Sequence, residues 1–238
     1  MDWSSYRAVL FDLDGVLTPT ADVHMRAWSR MFNDFLADVP GQAPYTDDDY
    51  FSYVDGKPRY DGVRDFLASR GIELPEGTPE DAVTQQSVCG LGNRKNEEFN
   101  NTLARDGVDP YPGSAHLVAD LAAAGIAMAV VSSSKNARPV LAAAGLTDYF
   151  PIVVDGVVAR EEGLPGKPAP DTYQRAARLL GADPEECVVV EDAISGVQSG
   201  AAGGFGLVVG VDRGVGAEEL RAHGATLVVN DLEELRQA

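Results

Sequence analysis

Short apolar runs and helix-spaced apolar residues alternate through the second half of the chain. Runs of three to six apolar residues predict buried strands at 8–11, 126–131, 152–154, 188–190, 207–209 and 227–229. Apolar residues at three- and four-residue spacing predict helices at 117–124, 137–144 and 171–180, between the strands at 188–190 and 207–209, and after the last strand. Such alternation is typical of a parallel α/β sheet.

Residues 20–108 follow a different pattern, in which no strand is predicted. Helical spacing covers 21–39, 61–70 and a polar stretch at 90–105, with breaks at 40–44 and 75–81. Thr46 followed by three aspartates is typical of a helix start. We therefore predict two domains, one formed by residues 1–19 and 109–238 and one formed by a helical insertion at 20–108.

Composition narrows the choice of partners. The 238 residues carry a formal net charge of −18, which disfavours binding to nucleic acid or to an anionic membrane surface. Cys89 and Cys187 lie far apart without metal-ligand spacing and are predicted to be free thiols. No leader pattern is found, and the longest apolar run falls well short of ~18 residues. A cytoplasmic protein without a membrane segment is expected.

Two carboxylates follow the first predicted strand, where Gly15 supplies a turn. In an open parallel sheet, ligands bind at the carboxyl ends of the strands. Asp12 and Asp14 repel each other and need a cation, a shared proton or open solvent. With a phosphate ester, Asp12 could attack phosphorus while Asp14 moves a proton. A calcium loop would continue with oxygen ligands, whereas Val16 and Leu17 follow here.

Three later stretches add chemistry to the same sheet edge. Ser132 ends a predicted strand before a helix, where hydroxyl and amide donors suit an anion, and Ser134 is predicted to cap that helix. Lys167 lies in a proline-rich turn before another helix, which alone is a weak signal. Glu191 and Asp192 end a further strand. Together with the first pair, these carboxylates predict a hard, oxygen-rich site suited to Mg²⁺.

The helical insertion carries cations and one histidine whose roles stay open at this point. Arg59, Arg94 and Lys95 are either solvated surface charges or ligands for a substrate anion. His24, one helical turn before Trp28, is either structural or functional.

The order Asp-x-Asp-Gly, strand-end Ser, Lys-Pro and strand-end Glu-Asp resembles the haloacid dehalogenase-like superfamily over nearly the whole chain. Asp14 argues against the dehalogenases themselves, which lack a second aspartate there. The chain is most similar to the β-phosphoglucomutase-like family, through the stretches 14–18, 24–28, 94–96, 111–113, 132–136 and 167–171 and through Thr20. The resemblance implies a Rossmann-like parallel sheet core with an inserted helical cap domain.

The resemblance also implies roles for individual residues. Asp12 would be the nucleophile and Asp14 the general acid and base. Mg²⁺ would bind the Asp12 carboxylate, the Asp14 carbonyl and Asp192, with support from Glu191. Ser132 and Lys167 would hold the transferring phosphate. Arg59 and Lys95 would hold the other phosphate, and His24 would orient groups or signal through the hinge. The substrate-binding residues implied in this way are Thr20, His24, Arg59, Lys95, Ser133 and Asn136.

The implied activity is transfer of phosphate on a hexose phosphate by a monomeric enzyme. The expected reaction converts β-glucose 1-phosphate to glucose 6-phosphate, and a phosphatase of the same superfamily is the alternative. A catalytically silent phosphate-sensing protein is a further alternative, which the retained Asp12 and Asp14 oppose. Pro19 departs from the family, which often has Asp there; the change removes a carboxylate and a backbone donor near the hinge.

Overall fold

The computed structural model describes residues 1–236, and the chain divides into two compact units. The first, here called the sheet unit, consists of Met1–Thr20 and the chain from Val108 onward. The second, here called the helical unit, is Ala21–Gly107. These divisions fall one residue from the predicted domain boundaries. The assignment of the two units as catalytic core and cap stays a prediction.

The sheet unit contains six parallel strands in the order β3-β2-β1-β4-β5-β6. The strands are β1 (Ala8–Phe11), β2 (Ala127–Val131), β3 (Ile152–Val154), β4 (Cys187–Glu191), β5 (Leu207–Val211) and β6 (Leu227–Val229). Strand β1 is central, because Leu10 pairs with Ala129 on one side and with Val189 on the other. Its four residues are fully buried, as a continuous apolar run in a parallel sheet requires. The predicted α/β fold class is confirmed.

Helices connect the strands of the sheet unit. They are α5 (Pro112–Ala123), α6 (Ala137–Ala143), α7 (Gly156–Glu162), α8 (Asp171–Leu180), α9 (Ile194–Ala202) and α10 (Ala217–Ala222). Helix α8 packs Tyr173, Ala176 and Ala177 into the same core cluster as Leu10 and Val189. This contact fixes the segment before α8, which carries Lys167, against the centre of the sheet.

Several helix predictions for the sheet unit differ from the structure. Helices α7 and α10 were not predicted, and the predicted terminal helix is a single 3₁₀ turn at Leu232–Leu235. Helix α7 begins because the Asp155 side chain accepts hydrogen bonds from the amides of Val157 and Val158. Helix α5 begins at Pro112, five residues earlier than predicted, since proline is favoured at a first helical position.

The helical unit contains α1 (Thr20–Leu36, its first residue in the sheet unit), α2 (Asp47–Asp49), α3 (Arg59–Ser69) and α4 (Val88–Asp106). Thr46 caps α2 in a reciprocal arrangement with Asp49, and a π-helical turn follows at Tyr50–Val54. The unit has its own core, in which Phe32 stacks on Tyr45 and contacts Phe66. No helix in the described part of the chain is long and apolar enough to span a membrane. Both cysteines are buried and free, as predicted.

Candidate active site

The loop after β1 is a tight turn that is anchored by apolar side chains. Asp12 donates its amide to the carbonyl of Val190 at 2.9 Å, which continues the sheet pairing by one residue. The chain then turns at Gly15, whose φ of 91° favours glycine. Val16 and Leu17 are fully buried. The apolar residues that argued against a calcium loop therefore anchor this loop to the interior.

Lys167 lies in the segment before α8 and is only 3% exposed. Its ammonium donates to Asp12 Oδ1 at 2.5 Å, to Glu191 Oε1 at 2.6 Å and to the carbonyl of Val131 at 3.0 Å. It also lies 5.0 Å from the centre of the Tyr173 ring. This lysine joins three neighbouring strand ends, which a proline-flanked surface lysine would not do.

Glu191 is the last residue of β4, and both of its oxygens accept hydrogen bonds from the protein. Oε1 accepts from Lys167 and from the Tyr173 hydroxyl at 2.9 Å, and Oε2 accepts from the amides of Asp192 at 3.1 Å and Ala193 at 3.3 Å. A Cβ at Gly196 would lie 1.8 Å from Oε1, so only glycine leaves room for this carboxylate. The bonding favours a supporting role for Glu191.

Three buried carboxylates form a cluster with the geometry of a cation site. Ligand oxygens of Asp12, Glu191 and Asp192 all lie within 4.8 Å of one another. Burial raises the pKa of Asp12 well above its usual range, and the Lys167 ammonium opposes that rise. Burial alone would lower the pKa of Lys167, but Asp12 and Glu191 outweigh burial and raise it, so the lysine stays charged. The three carboxylates outnumber the single Lys167 ammonium, and carboxylate oxygens are the ligands that a hard divalent cation prefers. These residues therefore fit a metal ion.

Asp14 is bonded to the hydroxyl groups of two residues that the sequence singled out. Thr20 Oγ1 donates to Asp14 Oδ1 at 2.5 Å, and Ser132 Oγ lies 3.4 Å from Asp14 Oδ2. The Thr18 hydroxyl lies 2.7 Å from that of Thr20. Thr20, which was predicted to bind substrate, thus contacts Asp14 itself.

The turn after β2 brings the predicted serine and asparagine residues together. Ser132 Oγ accepts from the amide of Ser134 at 3.0 Å, and Ser134 Oγ accepts from the amide of Asn136 at 3.1 Å. Ser132 and Asn136 are buried, and Ser133 is half-buried. Ser134 therefore organises the turn before α6, but it does not cap the helix as predicted, because Asn136 occupies the N-cap position. Substrate contacts of Ser133 and Asn136 stay predictions.

In the helical unit, Lys95 is buried and is surrounded by aromatic faces. Its ammonium lies against His24 Nδ1, 4.9 Å from the Trp28 ring centre and 5.3 Å from that of Phe99. Because an ammonium only donates, Nδ1 must accept. The His24 ring stacks on Phe99 with 4.0 Å between centroids. The two predicted residues lie together, with Trp28 and Phe99 as their aromatic partners.

Arg59 is held by a network that sequence reasoning missed. Its Nη2 donates to the Tyr60 hydroxyl at 3.0 Å, and that hydroxyl donates to Asn93 Oδ1 at 2.9 Å. A Cβ at Gly92 would lie 2.8 Å from the Tyr60 ring and 3.3 Å from Arg59 Cγ. Glycine therefore lets the start of α3 approach α4. Since residues three apart share a helix face, Lys95 lies on the same face of α4 as Gly92.

The fold and the comparisons with known proteins identify the class of protein. A family model described as haloacid dehalogenase-like hydrolase matches residues 6–204, and the chain belongs to this family of enzymes. The motif-based recognition is thus confirmed.

Particular relatives refine this class. A β-phosphoglucomutase of Mycobacterium tuberculosis (strain CDC 1551 / Oshkosh) is 50% identical, over 96% of this chain and 91% of that protein. Hexitol phosphatase A of Escherichia coli (strain K12) is 31% identical, over 96% of this chain and 93% of that protein. A crystal structure of β-phosphoglucomutase from Clostridium difficile has a TM-score of 0.77 at 24% identity, covering 97% and 93% of the two chains, which shows a shared fold.

Proposed function

We propose that this enzyme is a β-phosphoglucomutase, which converts β-glucose 1-phosphate to glucose 6-phosphate through an aspartyl-phosphate. The observation that carries the proposal is the Asp12–Lys167–Glu191 cluster at the carboxyl end of the sheet, with Asp14 two residues beyond Asp12. The 50% identity to a mycobacterial β-phosphoglucomutase along nearly the whole chain supports this choice of reaction.

The chemistry divides into two phosphoryl transfers at Asp12. In the first, the free C6 hydroxyl of β-glucose 1-phosphate attacks the phosphorus of the aspartyl-phosphate, the bond to Asp12 breaks, and the hydroxyl gives its proton to Asp14, which yields glucose 1,6-bisphosphate. In the second, after the bisphosphate has turned round, a carboxylate oxygen of Asp12 attacks the phosphorus at C1. The bond to the sugar oxygen breaks while Asp14 gives that oxygen a proton, which leaves glucose 6-phosphate and the aspartyl-phosphate. Lys167 and the Ser132 hydroxyl donate hydrogen bonds to the phosphoryl oxygens. Asp14 must exchange its bond with Thr20 for one to the sugar oxygen.

A hexose bisphosphate intermediate carries a second phosphate, for which we propose Arg59 and Lys95 as ligands. Arg59 presents a guanidinium that the Tyr60–Asn93 network orients. Lys95 is a buried ammonium, and His24 fixes its direction. Charge-assisted bonds to phosphate are strong and directional. Phosphorylated hexoses are therefore the proposed substrates, and the expectations of a monomeric, cytoplasmic protein stay predictions.

For the metal we propose Mg²⁺, held by Asp12, Asp192 and the Asp14 carbonyl with Glu191 in support. The ion would neutralise charge on the transferring phosphoryl group. EDTA should abolish turnover and Mg²⁺ should restore it, while Ca²⁺, which prefers longer bonds and more ligands, should support little turnover. A coupled assay for glucose 6-phosphate measures this. Full activity in chelator would contradict the assignment of Asp12 and Asp192 as ligands.

A phosphatase is the second candidate, which the 31% identity to hexitol phosphatase A supports. Water would then take the phosphoryl group from Asp12, and Asp14 would serve as its base. Every sheet-unit residue named above would keep its role. The two reactions differ in whether water is excluded from the aspartyl-phosphate.

The deciding experiment is ³¹P NMR of β-glucose 1-phosphate with enzyme, Mg²⁺ and a trace of glucose 1,6-bisphosphate. A mutase should produce the glucose 6-phosphate resonance with little inorganic phosphate. Inorganic phosphate as the main product would favour the phosphatase. No change in the spectrum, with saturable binding of the sugar phosphate, would favour the silent phosphate-sensing protein.

A further inference from the structure

Three consecutive carbonyls of the loop that carries Asp14 are held by donors from distant parts of the sheet unit. The bonds run from Arg213 Nε to Gly15 O at 2.9 Å, from Ser114 Oγ to Val16 O at 2.6 Å and from the Tyr111 amide to Leu17 O at 3.0 Å. Of these donors, Arg213 holds the residue next to Asp14. It lies two residues after β5 and is not part of any motif in the sequence.

Arg213 is itself held in a fixed direction. Its Nη1 donates to the carbonyl of Asn230 at 3.1 Å, and its guanidinium carbon lies 3.9 Å from the centre of the Tyr111 ring. The side chain of the preceding residue, Asp212, accepts hydrogen bonds from two backbone amides of the following turn, at 2.9 and 3.0 Å. The Arg213 side chain is 21% exposed. The Arg213 guanidinium is thus held by more contacts than a surface arginine needs.

Gly15 is the residue of the loop that most needs such a restraint. Glycine has no Cβ and moves between positive and negative φ with little cost, and Gly15 has a φ of 91° here. Rotation at Gly15 would swing the backbone of Asp14 and redirect its carboxylate. A displacement of about 1 Å in a reacting group can cost roughly 10²-fold in rate.

We propose that Arg213 is a positioning residue for Asp14, which acts by fixing the carbonyl of Gly15. The inference rests on the proposed role of Asp14 as general acid. Loss of Arg213 should therefore impair proton donation to the leaving group more than attack by Asp12. That selectivity separates positioning from a general loss of structure.

The test compares kcat/KM for p-nitrophenyl phosphate and phenyl phosphate, because kcat/KM reports only the steps through phosphorylation of Asp12. Phenolate is the more basic leaving group and depends more on a proton from Asp14. Arg213→Met should widen the ratio of the two values by about 10-fold, since a misplaced acid keeps part of a general-acid effect of roughly 10²–10⁴-fold. Arg175→Met, which breaks an exposed ion pair with Glu162, should leave the ratio unchanged.

A combined variant tests whether the effect runs through Asp14. Asp14→Asn alone should widen the ratio more than Arg213→Met does. Adding Arg213→Met to Asp14→Asn should widen it no further, because residues that act as a unit are not additive. If the Met variant does not fold, Arg213→Lys replaces it and should give a smaller widening.

Two results would overturn the inference. If the ratio is unchanged in the Arg213 variant, whether or not both values fall, Arg213 is only a structural residue while Asp14 keeps its role. If Asp14→Asn itself leaves the ratio unchanged, the general-acid role in the proposed function fails, and the role of Arg213 fails with it. The two failures are thus distinguishable.

Discussion

Asp12→Asn should lower the turnover of β-glucose 1-phosphate by at least about 10³-fold, because the amide keeps the shape of the side chain but cannot attack phosphorus. Lys167 would retain its bonds to Glu191 and to the carbonyl of Val131, so the variant should fold. A coupled assay for glucose 6-phosphate measures turnover, and thermal unfolding checks the fold.

Asp148→Asn provides the matched control, since it removes one carboxylate at an exposed position of the sheet unit. It should leave turnover unchanged. Binding of glucose 1,6-bisphosphate should persist in Asp12→Asn, because the phosphate donors Lys167 and Ser132 remain. Near-normal turnover in the Asp12 variant would rule out the covalent mechanism, and both mutase and phosphatase proposals would fall.

Much of the site could be predicted from the sequence because it lies at strand ends. A buried parallel strand is a short apolar run, and its carboxyl end is marked by the first polar residue that follows. Three apolar runs in this chain are each followed by a polar residue in this way: those before Asp12, Ser132 and Glu191. Neighbouring strands in a parallel sheet then bring such residues together, whatever their separation in sequence. The order of the strands could not be predicted from these runs.

The contacts that orient these residues could not be predicted. Tyr173 lies on a face of α8 that reads as core, yet its hydroxyl bonds Glu191. Tyr60 and Asn93 are 33 residues apart, and nothing local signals that their side chains meet. Arg213 reaches a carbonyl 198 residues earlier in the chain. Such partners depend on tertiary packing, which periodicity and motif spacing do not encode.

Helices α7 and α10 were not predicted, for a related reason. Helix α7 has no fully buried residue and begins with glycine and two valines, which favour other structures in isolation. The Asp155 cap and packing on β3 override that preference. Helix α10 is six residues long, too short to produce a periodic signal.

Lys95→Ala and Arg59→Ala should lower mutase turnover strongly while leaving acetyl phosphate hydrolysis nearly unchanged. A charge-assisted hydrogen bond to phosphate contributes about 1.5–3 kcal/mol, which corresponds to roughly 10–150-fold at 1.4 kcal/mol per factor of ten. Binding energy from the second phosphate can also drive the chemical step, so kcat should fall as well as KM rise. Acetyl phosphate has no second phosphate and needs neither cation.

Two further variants separate charge from packing in this test. Lys95→Met keeps most of the volume against Trp28 and Phe99 and should lose mutase turnover as Lys95→Ala does. Lys57→Ala removes a cation of the helical unit that pairs with Asp65, and it should keep both activities. If the Lys95 and Arg59 variants lose both reactions in parallel, these cations do not bind a second phosphate. In that case the phosphatase becomes the better account, because hydrolysis needs only one phosphate site, which the residues around Asp12 can form, and a water molecule from solvent.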